Sequence, residues 1–140
     1  MEKNVEFSIN KITTEQFAVV ENSFAPEKEI SLFSGFRFGV NKDEKTVDAY
    51  SLFRFEQDAN PFLLIEVGCR FLIRDESWEQ LKSDNKVTIT KGFITHLLTI
   101  TTGTTRGVLH AKTEGSKFNQ YLLPTINLAE AIKEDIIIDV

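Results

Sequence analysis

Cysteine, histidine, proline and basic charge are all scarce in this 140-residue chain, and each shortage removes a class of function. The single cysteine, Cys69, has no partner for an intrachain disulfide. His96 and His110 are the only histidines, and there is no cysteine pair or His-x-Glu pattern, so the sequence offers no zinc constellation. Nor is there a base with an orienting group for nucleophilic catalysis. Were the segment around them helical, a spacing of about fourteen residues would set the two histidines about 21 Å apart. Sixteen Lys plus Arg against twenty-one Asp plus Glu give a net charge of −5. That balance lacks the general attraction to phosphate backbones on which nucleic-acid binding rests, and it favours basic partners. No apolar run is long enough to cross a bilayer, and the first residues lack a charged-then-apolar signal pattern. A cytoplasmic protein without membrane insertion, cofactor or enzymatic activity is expected. With no repeat, linker or low-complexity stretch, residues 1–140 read as one domain.

What the chain does have is phenylalanine: twelve, against two tyrosines and one tryptophan. Phe fills cores, and it also lines adaptable apolar grooves. From Val5 to Ile73 the apolar pattern has a period of two. It is clearest where Leu63, Ile65, Val67, Cys69, Phe71 and Ile73 alternate with Leu64, Glu66, Gly68, Arg70 and Leu72. Ile30 to Val40 and Thr46 to Gln57 repeat the alternation, separated by polar turns at Asn41–Lys45 and Asp58–Pro61. A long first strand spans Val5 to Phe24, with an interruption near Thr13–Glu15. Four strands with short connections imply an antiparallel sheet. The face opposite the core is not cleanly polar, because Phe33, Tyr50, Leu52, Phe62 and Leu64 fall there by alternation.

After Arg74, residues 75–82 read as a short helical or turn segment that sets Trp78 against the body. The segment Val87 to Lys112 is ambiguous. Its many threonines and isoleucines disfavour helix, while Phe93, Leu97, Ile100, Thr104, Val108 and Ala111 recur at helical spacing. Asn127 is placed to cap a final helix, with Glu130 reaching back to it and Ile126 and Ala131 as a staple. Residues 135–140 fit either more helix or a short strand. Gly103-Thr-Thr-Arg-Gly107 lacks the Gly-Lys-Ser/Thr ending of a phosphate loop. Two glycines four apart on a helix would instead let another backbone approach closely. Cys69, on the apolar face, reads as a packing thiol.

Thr105-Arg-Gly107, followed by Leu122-Leu-Pro-Thr-Ile-Asn-Leu128 and an apolar end, resembles the carboxyl half of the SecB family of export chaperones. In that family a helix ends in Ser/Thr-Arg-Gly, and a Pro precedes an Asn-led last helix. The resemblance implies an α+β fold: a four-stranded antiparallel sheet with a long helix and a shorter C-terminal helix packed on one face. It implies an ATP-independent holdase for unfolded or preprotein polypeptides, assembled as a homodimer or homotetramer. Gly103 and Gly107 would lie in the oligomer interface. The SecA motor is an implied partner through an acidic sheet surface, for which Glu56 and Glu66 are the candidates. Exposure patterns nominate Phe24, Phe33, Tyr50, Leu52, Phe62, Phe118 and Tyr121 as polypeptide-binding residues. The link from Gly107 to Pro124 is longer and more polar than the family's, and the chain stops at Val140 without a tail of the kind that contacts the motor. A SecB-like chaperone for an antitoxin is therefore an alternative. Outside this resemblance, a small-molecule domain with an internal pocket lined by the same phenylalanines, or a structural subunit with a permanently covered sheet, also fits the pattern.

Overall fold

The computed structural model describes residues 4–140. Four long strands come first: β1 (Phe7–Val19), β2 (Ser31–Asn41), β3 (Thr46–Gln57) and β4 (Asn60–Ile73). They form one antiparallel sheet in the order β1-β4-β3-β2, so the first strand closes onto the fourth rather than the second. The hairpins have the expected turn chemistry. Asn41 Oδ1 accepts from the backbone N–H of Asp43 and Glu44, and Asp58 and Ala59 both take positive φ in a tight β3–β4 turn. The interruption foreseen near Thr13–Glu15 is a register shift at Glu15, and a second lies at Asn10.

A short helix α1 (Asp75–Leu81) follows and buries Trp78. Two short strands, β5 (Lys82–Ser83) and β6 (Lys86–Ile89), lead into the long helix α2 (Lys91–Thr113). The ambiguous segment thus divides: Val87 to Ile89 is strand, and everything from Lys91 onward is helix. Thr90 makes the boundary, its hydroxyl accepting from Phe93 N at 3.2 Å.

The buried stripe of α2 is Ile94, Leu97, Leu98, Thr101, Thr102, Thr105 and Leu109. This corrects the expected stripe, of which Phe93, Ile100, Thr104 and Val108 are only half-buried and Ala111 is exposed. Threonines take part in the buried stripe. Thr101 and Thr105 donate their hydroxyls to the carbonyls of Leu97 and Thr101, four residues back, at 2.9 and 2.7 Å. The polar atom is satisfied inside the helix, and the residue then packs against the sheet as an apolar group.

The chain ends in α3 (Leu128–Ala131), a single turn, and β7 (Ile136–Asp139), which pairs with β6 to complete a small three-stranded sheet. The open choice at the carboxyl end is settled as strand. The capping box does not form: Asn127 makes no side-chain cap bond, and the helix stops before Ile132 can extend the apolar face.

Both helices of the carboxyl half lie on one face of the large sheet, and the core between them has two lobes. One gathers Ala49, Phe71, Trp78, Ile89 and Leu97; the other gathers Phe53, Phe62, Ile65, Leu109 and Phe118. At the waist between the lobes, Ser51 and Thr102 share a hydroxyl–hydroxyl hydrogen bond of 3.1 Å, both buried.

Candidate functional site

The seven residues nominated for polypeptide binding fall into two groups on opposite faces of the sheet. Phe24, Phe62, Phe118 and Tyr121 converge beneath the helix-bearing face with Phe55. Ring centroids there lie 4.9 Å apart for Phe24–Phe62, 5.4 Å for Phe24–Phe118 and 5.3 Å for Phe62–Tyr121. Phe62 and Phe118 are buried, at 0 and 1% exposure, which corrects their expected exposure. For Phe62 the cause is a register shift: Phe55 faces Leu63 and Glu56 faces Pro61, leaving Phe62 as the extra residue turned inward. Simple alternation misses such a step. Phe24 and Tyr121 are half-exposed at the rim, next to the exposed Leu122.

Irregular backbone carries this rim, and polar side chains that sequence reading overlooked hold it. Gln57, buried at the end of β3, accepts from Ala25 N at 2.8 Å and donates to the carbonyls of Ala25 and Lys28 at 2.7 and 3.2 Å. Val20 N donates to Phe62 O at 2.8 Å. On the other side, Arg106 donates to the carbonyls of Leu123 and Pro124, both at 3.1 Å. Phe118 sits in a 3-10 turn capped by Ser116, and Asn119 ties that turn to the His110 carbonyl at 3.0 Å. Lys117 Nζ lies 5.5 Å from the Phe24 ring centre, within cation–π range.

Phe33, Tyr50 and Leu52 lie on the outer face, as the alternation predicts, and arginines stack on the rings of Phe33 and Tyr50, Phe33 remaining 43% exposed. Arg37, directly across from Tyr50, stacks 3.7 Å above its ring, and Arg54, across from Phe33, stacks 4.0 Å above that ring. The same arginines engage the nominated docking carboxylates. Arg37 Nε donates to Glu66 at 3.2 Å, and Gln16 donates to the other Glu66 oxygen at 3.0 Å. Glu66 is consequently only 6% exposed, a second correction to expected exposure. Arg54 Nε lies 3.2 Å from Glu56 at an angle that makes an ion pair without a hydrogen bond. Arg70 grips Asp48 with two bonds of 2.8 and 3.0 Å. The Asp48 hydrogen bond, followed by its charge, raises the Arg70 pKa; the Glu66 hydrogen bond comes first in raising that of Arg37.

Gly103 and Gly107 are exposed on α2, and a Cβ on either would meet no other part of the chain. They do not serve packing within the described residues. His96, Thr99, Ile100 and Ala111 share this side of the helix, and His110 beyond Gly107 lies 3.4 Å from the Glu114 carboxylate.

Cys69 is buried at 1% exposure among apolar neighbours, and the described residues hold no group of three or more His, Cys, Asp and Glu able to bind a metal. Phe53, Phe55, Phe62 and Phe118 pack together in one lobe of the core. A half-open cleft of about 740 Å³ lies elsewhere, between Val5 and Phe7, Leu81 and Lys82, and Phe93 and His96. No helix among the described residues is long and apolar enough to cross a membrane. No family model matches the chain, and no curated protein matches its sequence.

Proposed function

We propose that this protein is an ATP-independent holdase that captures apolar segments of unfolded polypeptides, as the resemblance to the SecB family implies. The observation that carries the reading is the aromatic rim at Phe24 and Tyr121. Its rings sit on irregular backbone above a fixed floor of Phe55, Phe62 and Phe118, so they can turn outward while the sheet stays intact. Covering such a rim gains about 25 cal/mol per Å² of apolar area and demands few directional bonds, which suits clients of varied sequence. Phe33, 43% exposed with Arg54 stacked on one face of its ring, and the half-buried Leu52 form a second patch of only two apolar side chains on the outer face.

The exposed side of α2 around Gly103 and Gly107 supports assembly as a homodimer or homotetramer, with no side chain beyond Cα at two positions four residues apart. Clients would be preproteins bound for export or, alternatively, an antitoxin. Delivery to SecA through Glu56 and Glu66 would require the motor's basic groups to displace Arg54 and Arg37.

Light scattering of a heat-aggregating client, without nucleotide, tests the reading. The protein suppresses aggregation; Phe24→Ser with Tyr121→Ser removes most of that suppression, and Phe33→Ser with Leu52→Ser removes less. If the folded wild-type protein gives no suppression, the holdase reading is wrong.

A further inference from the structure

Strand β7 closes the small sheet and pairs with β6 alone. Val140 N donates to Asn85 O at 3.0 Å, which fixes the phase of the ladder. Backbone groups of alternate residues in an antiparallel strand point to the same side, so those of Ile136 and Ile138 point toward β6, while the N–H and C=O of Ile137 and Asp139 point away from it. Among the described residues, no backbone–backbone hydrogen bond outside the sheet reaches Ile137 or Asp139. The side chains follow the same period. Ile136 and Ile138 pack on the lobe that holds Val87 and Ile89. Ile137 faces out at 59% exposure, more than any other large apolar side chain among the described residues. Two carboxylates bracket it: Asp139, with 89% of its side chain exposed and 4.0 Å from Lys86 Nζ, and the exposed Asp135, which accepts from Lys91 N at 2.8 Å.

We infer that the free edge of β7 binds an extended segment of another polypeptide with the pattern basic-x-apolar-x-basic, added antiparallel as a fourth strand of the small sheet. The outward main-chain groups of Ile137 and Asp139 supply the attachment, and the outer face supplies the selectivity. The strand already on the other side of β7 shows what this row of side chains accepts: β6 sets Lys86 opposite Asp139 and Thr88 opposite Ile137. A second strand meets the same row and is selected in the same way, with an apolar residue opposite Ile137 and a cation at each end. The net charge of −5 adds a general attraction for a basic segment. A second copy of β7 is disfavoured by the same chemistry. Centred on Ile137, antiparallel self-pairing would set each Asp135 opposite the other copy's Asp139, carboxylate against carboxylate at both ends. The edge belongs to the lobe of Trp78 and Ile89, apart from the aromatic rim at Phe24 and Tyr121, so the inference does not rest on the holdase reading.

Fluorescence anisotropy of a labelled, end-capped peptide Lys-Val-Ile-Val-Lys with the full chain tests this. The peptide binds saturably below about 1 mM. Binding is roughly ten-fold weaker for Glu-Val-Ile-Val-Glu, and it is lost when the central isoleucine is N-methylated, because that N–H is the one aimed at Ile137. Ile137→Pro removes an outward-pointing donor and no bond to β6, a change that an edge strand tolerates, so circular dichroism is unchanged while the peptide no longer binds. Asp139→Lys levels the two peptides, and it keeps the test decisive should Ile137→Pro fail to fold. No saturation by 1 mM, equal binding of the N-methylated peptide, or binding that survives Ile137→Pro overturns the proposal. If the surviving binding disappears with Phe24→Ser and Tyr121→Ser, the peptide belongs to the aromatic rim instead.

Discussion

The Tyr50 ring lies flat across Gly68, its cross-strand partner, so closely that a Cβ on Gly68 would stand 2.6 Å from Tyr50 Cε1. Arg37 closes the stack from above. An aromatic ring laid over a strand glycine replaces the packing that the missing side chain would supply. The glycine is therefore required by the ring rather than by backbone conformation.

Gly68→Ala must lift the Tyr50 ring into Arg37 and is expected to cost about 1–3 kcal/mol. In a Tyr50→Ala background the same substitution costs much less, because the obstruction is gone. Urea unfolding of the four corners of this cycle measures the coupling, and additive effects would show that the stack does not constrain Gly68.

Ser51 and Thr102 satisfy each other at the waist of the core. Ser51→Ala alone strands the Thr102 hydroxyl and is expected to destabilise the protein by about 1–3 kcal/mol, whereas Ser51→Ala with Thr102→Val approaches neutrality. Denaturant midpoints of the three variants check this.

Gln57 makes three bonds to the connection that carries Phe24. Gln57→Ala leaves the Ala25 N–H unpaired, and amide hydrogen exchange in residues 20–30 should accelerate while β3 and β4 remain protected. If Phe24 is a client contact, aggregation suppression changes in the same variant.

Gly103→Leu with Gly107→Leu should leave the helical circular dichroism intact, since neither Cβ meets another part of the chain. The expected change is in mass, which falls toward that of a monomer in multi-angle light scattering. An unchanged assembly would place its interface elsewhere.

Burial, followed by the nearby charge of Asp48, raises the pKa of the Tyr50 phenol above its usual value of 10.0. A raised pKa means that the folded state holds the proton more tightly than the unfolded chain does. The resulting stability is fully present below pH 10 and is lost as pH climbs through the folded value. Stability measured from neutral pH into that alkaline range should therefore fall more steeply for the wild type than for Tyr50→Phe.

The period-two pattern made the strands legible because β3 and β4 bury one face almost completely, from Val47 and Ala49 to Phe71 and Ile73. Pairing order was not legible, since nothing local tells β1 to bypass β2 and join β4. The helical register of α2 was not legible because apolar residues recur at helical spacing on two neighbouring sides: Phe93, Ile100 and Val108 are half-buried, while Ile94, Leu98 and Leu109 are buried. The candidate site divided for reasons of strand register. Phe62 is inverted by a single bulge, and the arginines stacked on Tyr50 and Phe33 come from across the strand, a relationship fixed by register rather than by sequence proximity.

The large sheet is complete at Ile73, yet the helix that covers it runs from Lys91 to Thr113. At ribosomal rates of roughly 5–20 residues per second, the last strand is synthesised about 2–8 s before the end of its cover. During that interval Phe53, Ile65 and Phe71 belong to a nascent sheet whose inner face is bare. Synthesis of this chain thus contains a period in which the protein itself presents the kind of surface that chaperones recognise.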